Sequence, residues 1–235
     1  MKTVSVIVCA YNAEETLKRA LDSAFSQNFD DYEVILVDDG STDKTAEIAY
    51  SYMERFADKM RIIRQSNKGL SSASNEGIMH ATGKFIIRLD ADDTFEKDTI
   101  KEMAHELATG DFGFVYCNYK VIDGGKSKII EMNGNVFRMI ATNVMFKKKV
   151  FEDVGMYKEG TYFEEYDLIA RVLKKFKGKI VKKALYNYYR HDSNMTNKKN
   201  EWENGVEHLK KDHPELFKNN NPKDAPQYPL SFDTL

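Results

Sequence analysis

The sequence predicts an α/β fold in which a mostly parallel central sheet is flanked by helices, and two observations carry that expectation. Over the first 110 residues, short β-branched runs alternate with segments whose apolar residues recur at helical spacing, the rhythm of βαβ units. Each of the first four strand-like runs also stops at turn-forming or charged residues, which on a parallel sheet would share one edge. Ligands of open α/β sheets bind just beyond the carboxyl ends of the strands, so chemistry is expected along that edge.

The elements follow in order. Residues 3–10 read as a buried strand; no small-residue cleavage site follows it, so it is not expected to be a secretion signal. Residues 14–27 place Leu17, Ala20, Leu21, Ala24 and Phe25 at helical spacing. Residues 33–37 form a second strand, ending in Asp38-Asp39-Gly40-Ser41. The next helix takes Thr42 or Asp43 as its N-cap and carries Ala46, Ile48, Ala49 and Met53. Residues 61–64 are a short strand, 70–81 a helix closed by Gly83, and 84–89 a strand that runs into Asp90-Ala91-Asp92-Asp93.

Beyond that point the rhythm changes. A helix at 96–108 leads to a strand at 112–117, and Val121-Ile122 and Ile129-Ile130 flank Asp123-Gly124-Gly125-Lys126, a hairpin signal. A strand at 140–146 and a short helix at 148–154, stopped by Gly155, come next. Residues 164–176 form an amphipathic helix with Leu168, Ile169, Val172, Leu173 and Phe176 as its stripe, followed by one or two strands over 179–190 and a helix at 201–212. Pro214, Pro222, Pro226 and Pro229 all fall late, with Asn219-Asn220-Asn221 among them. The expected division is one domain over 1–213, with a nucleotide-binding half at 1–110, and a polar Pro/Asn-rich tail over 214–235.

An apolar share of 42% and a charged share of 31% are those of a globular protein. Cys9 and Cys117 are too few for a disulfide framework or a zinc site. The longest apolar runs are strand-sized, so no membrane helix is expected and a cytoplasmic location is the default. The net charge of −2 conceals an asymmetry: residues 1–120 hold 14 basic against 21 acidic residues, and the remainder 21 against 16. Basic residues gather at Lys147-Lys148-Lys149 and over 174–183, which are either solvated faces or a surface for anionic partners.

Gly124-Gly125-Lys126-Ser127 mimics a phosphate-binding loop, but Lys120 stands where that motif needs glycine, so the hairpin is preferred. No G-x-G-x-x-G follows the first strand, which argues against nicotinamide or flavin binding, and neither H-E-x-x-H nor G-x-S-x-G occurs. Asn194-Met195-Thr196 fits a glycosylation sequon of little weight. What remains is the polar edge: Tyr11-Asn12, Asp38-Asp39, Asn67-Lys68-Gly69 and Asp90-Ala91-Asp92-Asp93. Each alone reads as turn chemistry. Together they outline a crevice with an aromatic ring, an early carboxylate and a later cluster suited to a hard divalent cation. A nucleoside diphosphate would fit it, with the base on the ring and the cation on the phosphates.

These residues carry a resemblance. Val4 through Asn12, Val37-Asp38-Asp39-Gly40-Ser41-Thr42-Asp43, Asn67-Lys68-Gly69-Leu70-Ser71 through Gly77, and Leu89-Asp90-Ala91-Asp92-Asp93 are similar to the successive signatures of family 2 glycosyltransferases. Glu164-Glu165-Tyr166-Asp167-Leu168 resembles that family's E-D-x-D-L block, and Tyr189-Arg190-His191 its late Y-R-x-H-type segment. The resemblance runs over roughly residues 3–196. It implies a GT-A fold, a nucleotide-sugar donor (a UDP-sugar on family frequency), Mn2+ or Mg2+, and inversion at the anomeric carbon. It places Ala10, Tyr11, Asn12, Asp38, Asp39, Asn67, Lys68, Gly69, Asn75, Arg88, Asp90 and Ala91 at the nucleotide, with Tyr11 and Asp39 at the base and Asp90 near the ribose. Asp92 matches the carboxylate on the metal, and His191 is a candidate for the metal or the diphosphate. Two roles are open to Asp93: a ligand, or a group that orients one. Glu165 falls where the family puts its general base, with Asp167 as the alternative.

Two departures matter. Ala73-Ser74-Asn75 stands where the family often has Ala-Arg-Asn, leaving Arg88, Arg64 or Lys68 to supply the missing cation. Glu165 is one methylene longer than the usual aspartate, and misplacing a catalytic group by about 1 Å costs on the order of 10²-fold. Residues 111–213 are expected to form the acceptor side, with 119–160 and the chain after 190 shaping the pocket. The acceptor is left open among glycans such as surface polysaccharide, lipid-linked oligosaccharide, protein and nucleic acid; the basic second half favours an anionic or membrane-surface one. Two other classes stand beside this reading: a nucleotide-sugar-binding module without chemistry, and a sugar-phosphate nucleotidyltransferase. The latter usually carries a Gly-rich basic loop where Ala10-Tyr11-Asn12-Ala13-Glu14 stands here.

Overall fold

The computed structural model describes residues 2–160, 163–191 and 199–224; the sequon and the last two prolines lie outside them. Four strands, β1 (Val4–Ala10), β2 (Tyr32–Asp38), β3 (Met60–Arg64) and β4 (Phe85–Asp90), pair in parallel in the order β3-β2-β1-β4. Every residue of β1 and β2 is buried, as parallel strands covered on both faces require. The helices between them are α1 (Leu17–Phe25), α2 (Thr45–Arg55) and α3 (Leu70–His80). The registers Ala10↔Asp38, Asp38↔Arg64 and Cys9↔Asp90 bring the strands to the same level, so the polar ends do share one edge. At α2 the N-cap is Lys44; Asp43 works from one position further out, taking the Thr45 N–H at 2.9 Å and the Glu14 N–H at 3.1 Å.

The sheet continues beyond β4 without a break. β8 (Val144–Lys147) lies antiparallel to β4, β6 (Phe114–Asp123) antiparallel to β8, and β9 (Gly178–Tyr189) parallel to β6. The runs at 112–117 and 121–122 are therefore one strand, and residues 179–190 form one strand rather than two. β7 (Lys126–Ile130) closes the hairpin on β6 through Gly124 and Gly125, whose φ values of 53° and 83° are those of a two-residue hairpin turn. No residue pattern signals β5 (Thr94–Phe95), two residues that pair with Tyr186 and Asn187 of β9. Because β5 occupies 94–95, helix α4 begins only at Thr99 and runs to Thr109. β5 follows Asp93 directly, so its pairing draws the end of β9 beside the tip of β4.

The remaining helices are α5 (Lys148–Val154), α6 (Glu164–Leu173) and α7 (Lys199–Asp212). On α6, Leu168, Ile169 and Val172 are buried, but Leu173 is 42% exposed because the helix stops there. The chain from Pro214 opens with a 3-10 turn that buries Leu216, so this part of the expected tail packs onto the domain. Several lysines of the basic runs have partners within the chain: Lys148 donates to Ala81 O at 2.6 Å, Lys174 pairs with Glu215 at 2.9 Å, Lys183 with Glu102 at 2.7 Å, and Lys179 with Glu106. No helix among the described residues is long and apolar enough to cross a membrane.

Candidate active site

The wall nearest β1 and β2 is laced by hydrogen bonds. Asn12, with a left-handed φ of 47°, donates its N–H to Ser41 Oγ at 3.0 Å and accepts the Thr42 N–H on Oδ1 at 2.9 Å. Ala10 O accepts the Asp39 N–H at 2.9 Å, and Tyr11 stands 51% exposed above it. Asp38 is buried, taking the Ser41 N–H at 2.9 Å with Arg64 Nε 3.1 Å away. Gly40 has φ 81°, and a Cβ there would sit 2.7 Å from the Asn67 N, so the loops after β2 and β3 touch. Asp39 accepts from Gln65 Nε2 at 2.7 Å, Lys68 N at 2.9 Å and Gly69 N at 2.8 Å. Its carboxylate thus holds the 65–69 loop in place.

At the tip of β4, the turn closes with Asp93 N donating to Asp90 O at 3.1 Å. One oxygen from each of Asp90, Asp92 and Asp93 lies within 4.8 Å of the others. Asp92 Oδ2 is 2.8 Å from His191 Nε2, a residue just past β9. Asp93 is buried and both its oxygens are engaged, by the Tyr186 hydroxyl at 2.7 Å and the Tyr189 N–H at 2.9 Å. Burial, then the charges of Asp92 and Asp90, push its pKa well above the ordinary value. That geometry suits the orienting role better than the ligand role. Tyr186 was not expected from the sequence, and Tyr189 only as part of the late Tyr189-Arg190-His191 segment; the β5–β9 pairing brings both here.

The donor set fits a hard cation. Asp90 and Asp92 offer the carboxylate oxygens that suit Mg2+ or Mn2+, and the His191 imidazole stands beside Asp92. Asp90 Oδ1 is buried and accepts no hydrogen bond, with Arg88 Nε 3.1 Å away as its charge partner. Arg88 is itself buried, donates to Ser74 Oγ at 3.3 Å, and has its guanidinium 5.6 Å from the Tyr157 ring centre. Of the three cations weighed for the missing arginine at 74, Arg88 is the one that reaches Ser74; Arg64 is occupied with Asp38. Asn75 clamps Tyr157, donating to its O at 2.9 Å and accepting its N–H at 3.0 Å.

Helix α6 supplies the remaining carboxylates. Phe163, at φ 72° and ψ 37°, starts it in a left-handed conformation, wedged against Trp202 at 4.6 Å and Tyr166 at 5.1 Å between ring centres. Glu164 is buried and Glu165 partly buried. Burial first, and then the charge of Glu164, push the Glu165 pKa up to about 8; Arg88 lowers it and Asp90 raises it, so all four groups share one electrostatic neighbourhood. Apolar Met139, Ile140, Tyr166 and Ile169 line a small void of about 10 Å3 beside Glu165, which is why its charged form is disfavoured. Asp167 faces the other way. Burial opposes its charge, but hydrogen bonds from Lys158, His213 and Arg171 at 2.6, 3.1 and 2.8 Å hold its pKa below the usual value. Arg171 in turn donates to Met156 O at 2.7 Å and Val154 O at 2.5 Å, so this cluster braces the same loop that Asn75 clamps.

Comparison with known proteins fits this geometry. The profile of "Glycosyl transferase family 2" matches residues 5–158, stopping before α6 and the end of β9. The uncharacterized glycosyltransferase alr2836 of Nostoc is 35% identical over 126 residues, 54% of this chain and 39% of that protein. The cholesterol galactosyltransferase of Borreliella burgdorferi is 37% identical over 115 residues, 49% of this chain and 32% of that protein. The chain thus spans about a third to two fifths of the length of these relatives. Among solved structures, S. aureus TarS in complex with UDP-GlcNAc superposes with a TM-score of 0.73 at 20% identity, covering 86% of this chain and 64% of that one. The mannosyltransferase PcManGT from Pyrobaculum calidifontis, in complex with GDP-Man and Mn2+, gives 0.74 at 19% identity, covering 95% and 67%. These likenesses carry the GT-A fold. With the profile covering most of the chain and the strand-end signatures in place, this protein belongs to glycosyl transferase family 2.

Proposed function

We propose that the chain is a metal-dependent, inverting glycosyltransferase that moves a sugar from a nucleoside-diphosphate donor, a UDP-sugar, to an acceptor hydroxyl. The observation that carries this reading is the return of β9 to the tip of β4, which gathers Asp90, Asp92, Asp93 and His191 on the strand-end edge that also carries Tyr11 and Asp39. In this reading the exposed Tyr11 ring is a platform for the base. Asn12, Asp38, Asp39, Asn67, Lys68 and Gly69 build the wall beside it. Asp90 and Ala91 lie toward the ribose, and Arg88 balances the Asp90 charge from behind. Asp92 and His191 would hold Mn2+ or Mg2+, which when bound neutralises charge on the leaving diphosphate. UDP is supported by the TarS complexes with UDP and UDP-GlcNAc.

Glu165 takes the proton of the acceptor hydroxyl. A base is most effective when its pKa lies near the working pH, and a value of about 8 meets that condition. Asp167, already bound by Lys158, Arg171 and His213, has no vacancy for such a role without breaking its cluster. In-line attack from the Glu165 side, opposite the diphosphate, inverts the anomeric centre. The single-domain organisation over residues 1–213, with its nucleotide and acceptor halves, belongs to the same proposal.

The test is a panel of UDP- and GDP-sugars incubated with the protein and Mn2+. Release of nucleoside diphosphate supports the proposal. Tight donor binding without release would mean a binding module; pyrophosphate release from UTP or GTP supplied with a sugar 1-phosphate, without diphosphate release from the panel, would mean a nucleotidyltransferase.

A further inference from the structure

We infer that Arg19, on the outer face of α1, is a positioning residue for the cation-binding turn at the tip of β4. This rests on the metal role given to Asp92 above. The Arg19 guanidinium donates from Nη2 to the backbone O of Asp92 and lies 3.6 Å from the centre of the Tyr189 ring. Tyr189 in turn donates its N–H to Asp93 Oδ1 at 2.9 Å. One planar cation therefore touches both the turn and the strand end that braces it.

The contact is part of a larger pattern. Four residues on from Arg19, Ser23 Oγ accepts the Phe95 N–H at 3.1 Å. Four further on, Gln27 donates to Glu96 O at 2.8 Å and accepts the Ile100 N–H at 3.0 Å. Residues four apart lie on one helix face. Arg19 and Ser23 thus share one face of α1, and Gln27, two residues past its end, continues the row along the backbone from Asp92 to Ile100. An incidental surface arginine would show one contact of this kind. Here α1 and the chain just past its end hold the segment at three points, and Arg19 is the point nearest the carboxylates.

Arg19 acts on the turn from outside. The carboxylate of Asp92 is met by His191 and that of Asp93 by Tyr186 and Tyr189, whereas Arg19 grips the Asp92 main chain. With Arg19 gone, the Asp92 peptide is free to turn and its carboxylate loses a fixed direction. A lysine can donate to the carbonyl, but it lacks the flat face that stacks on the ring while donating in plane.

The experiment measures Mn2+ binding by the EPR signal of free Mn2+, in the presence of UDP, for the wild type, Arg19→Met, Arg19→Lys and Asp92→Asn, with melting curves on each. Residues that orient metal ligands typically contribute 10- to 100-fold in affinity. Arg19→Met should therefore bind Mn2+ about 10-fold more weakly, with Arg19→Lys between it and the wild type and melting temperatures unchanged. In a donor-turnover assay its rate should recover at high Mn2+. Mn2+ affinity of Arg19→Met within about twofold of wild type, while Asp92→Asn has lost binding, overturns the inference and leaves the metal site standing. Wild-type affinity in both variants overturns the metal reading, and the inference with it.

Discussion

His191 Nε2 lies 2.8 Å from Asp92 Oδ2, joining two residues 99 positions apart in the chain. The contact exists because β5 pairs with β9 immediately after the acidic turn. If these two residues share a cation, His191→Ala should raise the Mn2+ concentration needed for half-maximal turnover by about 10-fold or more. Asp92→Ala should abolish metal-dependent turnover. Both side chains are about one third exposed, so melting temperatures should hardly move. Wild-type Mn2+ dependence in His191→Ala would count against the pairing.

Glu165 is expected to set the pH dependence. A base must be ionised to accept a proton, and its carboxyl is pushed up to about 8, so the rate should rise with pH through that region. Glu165→Gln should lower turnover by roughly 10²- to 10⁴-fold and remove that limb of the profile, while donor binding persists. Loss of donor binding instead would remove Glu165 from the role of base.

The same carboxyl has a stability signature. Its folded-state pKa lies above the unfolded value of 4.5, so it favours the folded state below that value and loses the advantage as pH rises toward 8. Glu165→Gln should therefore melt above the wild type at pH 8.5, with the gap closing near pH 4.5. Equal melting temperatures across that range would show the carboxyl to be well solvated.

Asp167 should behave in the opposite way. Its pKa is held below the usual value by Lys158, His213 and Arg171, so its contribution is present above pH 4 and fades as pH falls through its lowered pKa. Asp167→Asn should cost about 2–3 kcal/mol at pH 7, the lower side of the range for breaking a buried pair, because Lys158 is half exposed. Urea titration reads this. Activity at a temperature where the variant is folded should stay within a few-fold of wild type; a loss as deep as that of Glu165→Gln would restore Asp167 as the base.

Asn75→Ala separates a clamp from a nucleotide contact. It leaves the Tyr157 N–H and O without partners, at a cost of about 2 kcal/mol, and loosens the loop that Arg171 also holds. The KM for donor should change little. A large rise in KM with unchanged stability would return Asn75 to the nucleotide.

The βαβ half, the hairpin at 123–126 and the acidic cluster at a strand tip are all legible in the residue order alone. Those features depend on residues close together in the chain: side-chain period, turn-forming glycines, and where an apolar run stops. Residue order also carries the family, through short blocks in fixed order. What these polar residues touch within the chain is set by the packing of distant segments. Asp38, Asp39 and Asn75 read as ligand groups in the sequence, and in the fold each also accepts a main-chain N–H of its own or a neighbouring loop. Asp167 and Glu165 sit two residues apart on one helix, and the helical turn between them sends one into a cluster of cations and the other beside an apolar void. Tyr186, Tyr189 and Arg19 reach the turn through a two-residue strand and one helix face. Pairings between segments some 70 to 100 residues apart leave no period in the sequence, because they are selected by the packing of the whole sheet.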